Sequence, residues 1–283
     1  MLPRIKILSV AALSIFLFVW FSAEHWVSAQ SRESTAYLGF DRNDYPGDDN
    51  LKALRKTFSY AGYWLNNPPG ETTNTWKGKR AALEAAGFGY LVLFNGRLDK
   101  ELKAGAAQRL ARLDGENAIA TARVEGFPTR TVIFLDIEEG GRMLPEQKDY
   151  IYTWVDTVTG DVFRAGVYCS GIPAREGEST IVTAQDIREK ALGRDIVYWI
   201  TNDACPPSPG CVFRKAPPHP GDGGITFATV WQFAQSPRRR EFVAHCPANY
   251  NPDGNCYPPE VDPKLRLHVD VNTSDASDPS AGR

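Results

Sequence analysis

The chain predicts an α/β fold, an irregular TIM-like (β/α) barrel of about five strand-helix units followed by three strands with long loops. Three observations predict it. Period-two apolar runs alternate with helical patterns through the first two-thirds of the chain. Beyond them the connections turn long, Pro-rich and cysteine-bearing. The apolar run VIFLDIEE ends in two carboxylates, Asp136 and Glu138, at the strand end where barrels and open α/β sheets bind ligands.

Residues 1–29 read as an export signal, with Arg4 and Lys6 ahead of the apolar stretch Ile7 to Phe21 and Val27-Ser28-Ala29 as the small-residue cleavage site. The apolar stretch is shorter than the ~20 residues that span a bilayer comfortably, so removal is expected rather than a stable membrane span. A secreted or periplasmic location follows, and residues 30–272 suit one barrel domain and 273–283 a disordered C-terminal tail.

The strand candidates, in order, are YLGFD near 37, YAGYWLN near 60, GYLVLFN near 89, TVIFLDIE near 131, RAGVYCS near 164, DIVYWITN near 195, FATVWQF near 227 and RLHVDVN near 266. Helices are expected over 48–58, 75–87 with Gly87 as C-cap, 99–113, 145–158 with Pro145 in the first turn, and 183–193. Strand-helix alternation implies parallel strands. The long segments after the sixth and seventh strands would rise around the mouth. Each carries two cysteines bracketing a loop without periodicity, so bridges are expected between Cys205 and Cys211 and between Cys246 and Cys256. Cys169, inside the fifth strand, is left as a buried thiol.

Side-chain alternation places the candidate site. Asp136 and Glu138 share a face with Val132 and Phe134, while Ile133, Leu135 and Ile137 form the other. Asp41 shares the inner face of the first strand with Tyr37 and Gly39, and Asp270 shares that of the last with His268 and Asn272. The first and last strands of a closed barrel are neighbours. Four acids on three strands then face one interior, where unpaired carboxylates are costly to bury.

A formal charge of −2, from 32 Lys and Arg against 34 Asp and Glu, leaves no electrostatic footprint for nucleic acid. Four scattered histidines and the lack of CxxC or HxxxH spacing give no zinc site, so neither a metal nor a cofactor is expected.

The order and spacing of GFD (39–41), LDIE (135–138), GVYCSG (166–171), YWI (198–200), WQF (231–233) and VDVN (269–272) resemble the glycoside hydrolase family 25 lysozymes, and more closely the exported glycoside-hydrolase-like domain of unknown function 1906. The resemblance covers nearly the whole chain beyond the signal. It implies five strand-helix units followed by three strands, acid positions at Asp41, Asp136, Glu138 and Asp270, and Glu138 as proton donor. It also implies a hydrolase acting on cell-wall polysaccharide, with peptidoglycan the natural substrate and a monomer the expected state. The segment RNDYPGDDN and the cysteine-bearing loops depart from the compact lysozymes.

Glycoside cleavage needs a protonated carboxyl at the leaving oxygen and an anion facing the positive sugar ring. Two residues of strand advance ~6.6 Å, which brings Glu138 nearer the mouth than Asp136. Glu138 is therefore the expected acid and Asp136 its deeper tuning partner. Staying protonated near neutrality needs a rise of about two pKa units, or roughly 2.7 kcal/mol. Asp41 and Asp270 would orient water, stabilise the oxocarbenium ion or hold a substrate acetamido group. Tyr168, Trp199 and Trp231 offer stacking faces to sugars, and Asn272 a polar contact. The competing readings are a glycan-binding barrel without turnover and a Ca²⁺ or Mg²⁺ site for phosphodiester chemistry, the latter disfavoured for want of an inward histidine other than His268.

Overall fold

The computed structural model of the chain describes residues 36–103, 105–202, 217–235 and 269–283. Eight strands close a barrel in the order β1-β10-β9-β8-β5-β4-β3-β2. They are β1 (Tyr37–Asp41), β2 (Tyr60–Trp64), β3 (Gly89–Asn95), β4 (Val132–Asp136), β5 (Arg164–Ser170), β8 (Ile196–Thr201), β9 (Val230–Ala234) and β10 (Asp270–Ser274). Helices α1 (Leu51–Leu54), α2 (Arg80–Ala85), α3 (Ala107–Val124), α4 (Pro145–Thr159) and α5 (Thr183–Glu189) follow the first five barrel strands in turn. The fold is thus an α/β barrel of five strand-helix units and three closing strands, as the alternation of periods predicts.

The expectation of parallel strands fails at the seam. β10 runs antiparallel to both β1 and β9, while every other barrel pairing is parallel. A parallel strand needs a crossover to return its start to the bottom of the barrel, and an antiparallel one starts where its predecessor ends. β10 accordingly begins at the mouth with Asp270. A small hairpin, β6 (Ala174–Glu176) and β7 (Ser179–Ile181), stands between β5 and α5 and was not foreseen.

Helix bounds also moved. The first expected helix shrinks to a 3-10 turn at Asp48–Asn50 and α1, and the helix expected over 99–113 becomes a 3-10 turn at Asp99–Glu101 followed by α3. Within α3, Asp114 is buried and accepts both Arg97 Nε (2.6 Å) and Tyr150 Oη (2.8 Å), which ties β3, α3 and α4 together. Gly115 lies at the α3–α4 crossing, where a Cβ would come within 2.8 Å of Thr157 Cγ2. Pro145 does open α4, where its missing N–H has no helical partner to lose.

The barrel interior pairs large side chains with glycine. Tyr60, Phe134 and Trp199 are fully or almost fully buried, and a Cβ at Gly166 would stand 2.4 Å from the Phe134 ring. Burying one such ring stabilises the fold by roughly 1.5–3 kcal/mol, so the inner layer makes a packed floor beneath the mouth.

Residues 273–283, read as a disordered tail, are ordered. Thr273 and Ser274 complete β10, and the following segment hydrogen-bonds to the starts of β3 and β4. There Asp278 Oδ1 accepts Tyr90 N–H (2.7 Å), Ser280 Oγ accepts Val92 N–H (2.8 Å), and Ser280 O accepts Val132 N–H (2.8 Å). Polar composition misled because these groups serve as backbone partners for strand ends rather than as solvated chain. The export signal and the two expected disulfides lie outside the described residues. Cys169 is a buried free thiol, as its strand position predicts. Among the described residues no helix is long and apolar enough to cross a membrane.

Candidate active site

The mouth formed by the carboxyl ends of the parallel strands holds a cavity of about 420 Å³. Asp41, Asp136, Glu138 and Asp270 all line it, together with Tyr168 and Trp199. The acids come together for reasons already visible in the strands. β4 delivers Asp136 at its last residue and Glu138 just beyond it, β1 delivers Asp41 at its last, and β10, running the other way, delivers Asp270 at its first.

Asp41 is 6% exposed and Asp136 3% exposed. Burial pushes Asp41 up to about 6, against hydrogen bonds from Asn272 and Gln232 that pull it down, and the nearby Glu138 charge adds to the rise. Burial also raises Asp136 well above the ordinary carboxylate range, and Glu138 and Asp41 push it further. Glu138 is raised as well by desolvation, although it accepts a hydrogen bond from Asp136 that favours its ionised form. Burial thus raises both members of the pair, so that together they retain a proton more readily than free carboxyls, with Asp136 as the donor in the hydrogen bond between them. Glu138 itself reaches solvent at the rim while lining the cavity.

A fixed relay of polar side chains surrounds Asp41. Trp199 Nε1 donates to Asn272 Oδ1 (3.0 Å), and Asn272 Nδ2 donates to Asp41 Oδ2 (2.6 Å). Gln232 Nε2 donates to Asp41 Oδ2 (3.1 Å) and Oδ1 (3.3 Å) and, more weakly, to Asp270 Oδ2 (3.4 Å). Tyr168 Oη donates to Gln232 Oε1 (2.8 Å), which also accepts Gln235 Nε2 (2.9 Å).

The loop that carries Glu138 is clamped from α5. Thr183 Oγ1 both accepts Gly141 N–H (2.8 Å) and donates to Gly141 O (2.9 Å), and the buried Asp186 accepts Met143 N–H (2.9 Å) and pairs with Lys148 (3.0 Å). The next residue, Glu139, accepts Asp99 N–H (2.8 Å) and Gln147 Nε2 (2.6 Å). The rim opposite is built from two joined loops, with Asn43 Nδ2 donating to Pro69 O (3.0 Å).

Not every aromatic expected at the site faces it. Trp231 points away from the cavity, donates to Asn202 O (3.2 Å) and packs on Phe233 and against Gly223. Alternation along β9 puts its neighbour Gln232 inside instead. Asn272 is fully buried and holds Asp41 rather than facing the open cavity. Trp199 lines the cavity but is only 1% exposed, packed against Phe134 and Tyr168. Tyr168 and the unforeseen Trp64 line the cavity, Trp64 anchored by its Nε1 donating to Arg42 O (3.1 Å). Gln232 was legible from the alternation in VWQFA; Trp64, Arg42, Asn43 and Asp44 had no comparable signal.

Among the described residues no group of three or more His, Cys, Asp or Glu side chains is arranged to hold a metal ion.

No protein-family model matches the chain, and no curated protein does. Solved structures are similar. An uncharacterised Bacillus stearothermophilus protein is 17% identical with a TM-score of 0.52, covering 83% of this chain and 94% of the other. A Tat-secreted protein of Mycobacterium tuberculosis, solved with L-tartrate, is 14% identical with a TM-score of 0.50, covering 84% and 94%. The catalytic domain of an endolysin from a Listeria monocytogenes bacteriophage is 13% identical with a TM-score of 0.47, covering 87% and 98%. At these identities the likeness is one of fold.

Proposed function

We propose that this chain is a secreted glycoside hydrolase that cleaves cell-wall polysaccharide, with peptidoglycan as substrate and carboxylates as the catalytic groups. The observation that carries this reading is the convergence of Asp41, Asp136, Glu138 and Asp270 on one cavity at the barrel mouth, with the buried Asp136 beside Glu138 on one side and hydrogen-bond donors gathered around Asp41 on the other. The motif resemblance to family 25 lysozymes and the related exported group points to the same chemistry.

Glu138 lies nearest solvent and donates a proton to the leaving glycosidic oxygen as the C–O bond breaks. That proton is the one the pair shares in its hydrogen bond: Asp136 hands it to Glu138 as Glu138 delivers it to the leaving oxygen, and the pair stays anionic until the attacking water returns a proton. Asp41 and Asp270, across the mouth, face the positive charge that develops on the sugar ring. Water adds to the sugar carbon and its proton returns to a carboxylate. Tyr168 and Trp64 supply the apolar and polar edges against which a sugar ring is oriented.

The test is incubation of the protein, freed of residues 1–29, with purified peptidoglycan and with a panel of other polysaccharides, reading released reducing ends. Release from peptidoglycan supports the proposal. Binding without release from any polysaccharide identifies a glycan-binding barrel instead, and activity abolished by a chelator would favour metal-dependent chemistry.

A further inference from the structure

Two amide side chains present their NH₂ to Asp41, one of them fixed by a group that can only donate. An indole N–H can only donate, so Trp199 obliges Asn272 to present its oxygen to the ring and its NH₂ to Asp41. Gln232 is turned in the same sense. Its oxygen accepts both Tyr168 Oη and Gln235 Nε2, which turns its NH₂ toward Asp41 and Asp270. Gln232 is 2% exposed, so water cannot substitute for these partners.

The contrast with Asp136 is sharp. That carboxyl is equally buried, yet its Oδ1 has no hydrogen-bond partner among the described residues. Donors on a buried carboxyl favour the anion and their absence favours the neutral acid. The titratable groups facing Asp41 are Glu138 and Asp136 from β4 and its following loop, Asp270 from β10, Tyr60 from β2 and Tyr168 from β5, with Arg42 next along the chain. Burial and the Glu138 charge oppose its ionisation, and the donors that favour it are the Asn272 and Gln232 amides.

We propose that Gln232 is a positioning residue that holds Asp41 ionised while Asp136 and Glu138 keep their proton, so that one cavity maintains an anionic wall and an acidic wall side by side. This deepens the glycoside hydrolase reading of the same cavity. Gln232 does this beside Asn272 because its two ends differ: its oxygen accepts the hydrogen bond of the Tyr168 hydroxyl, and its NH₂ reaches across the β1–β10 seam to both carboxylates.

The test is a carboxyl ¹³C NMR titration of the folded protein, with the Asp41 resonance assigned by its loss in Asp41→Asn. Gln232→Met removes both donors at similar volume, and Gln232→Glu keeps the shape while facing Asp41 with an acid. Asp41 is expected to titrate higher by about one unit or more in Gln232→Met, and higher still in Gln232→Glu. An unchanged Asp41 midpoint in whichever variant folds overturns the proposal. Because the readout is a titration, a protein that cleaves no glycan would refute the proposed function and leave this inference standing on its own result.

Discussion

Asp41, the last residue of β1, pairs directly with Asp270, the first residue of β10. Antiparallel pairing is what joins them: were β10 parallel, its first residue would lie at the floor and Asp270 would be far from the mouth. Two carboxylates therefore share one seam of the barrel, and Gln232 spans them from the neighbouring strand. The opposite wall, at the end of β4, holds Asp136 and Glu138, both raised by burial.

If the chain turns over glycan as proposed, this division sets the pH dependence of that turnover. Asp41 must be ionised, and burial has raised it to about 6, so kcat/KM should climb through that pH as the proton leaves. Asp136 and Glu138 must keep a proton between them, so activity should fall again at higher pH. The expected profile is a bell whose acid limb has its midpoint near 6, measured as kcat/KM on a soluble glycan fragment. A profile flat from about pH 5 to 8 contradicts the assignment.

Stability should run the other way. Asp41 is raised in the folded protein from 3.8 to about 6, so its stabilising contribution is complete below 3.8 and lost as pH rises through 6. Ionising it in the folded state costs about 3 kcal/mol at neutral pH, an order-of-magnitude figure from the size of the shift. Chemical denaturation at about pH 4 and 7.5 should show a smaller loss of stability with rising pH in Asp41→Asn than in the wild type. Identical pH dependence would show that Asp41 is not desolvated.

The C-terminal segment should be structural. Ser280→Ala leaves the buried Val92 N–H without its acceptor, at a cost of about 1–3 kcal/mol. Asp278→Ala removes the acceptor for Tyr90 N–H with a similar effect. Urea midpoints read both, and a change within error for both would mean that the segment does not cap β3.

How far the sequence reveals this structure depends on which force placed each residue. Asp41, Asp136 and Glu138 were legible because strands alternate with period two and end where loops begin, and both facts are local. The direction of β10 was not, since alternation along a strand is the same whether the strand starts or ends at the mouth. The register of α3 was obscured by Asp114 and Gly115, which look like a solvated turn. Asp114 is instead neutralised by Arg97 and Tyr150, and Gly115 lets α4 approach. Trp231 shows the opposite failure: chemical type suggested a sugar platform, while alternation, read strictly, placed Gln232 inside. The shared proton of the acidic pair needed the fold to be seen, because burial raises both members and Asp136 donates the hydrogen bond between them.

The account rests most directly on Glu138, and the measurement that tests it pairs turnover with affinity in Glu138→Gln. Glutamine keeps the shape and hydrogen bonding of the side chain but has no proton to give the leaving oxygen. Reducing-end release from peptidoglycan should fall by about 10²–10⁴-fold, while binding of a peptidoglycan fragment, followed by calorimetry, stays within a few-fold of the wild type. Wild-type rates in Glu138→Gln would contradict the account.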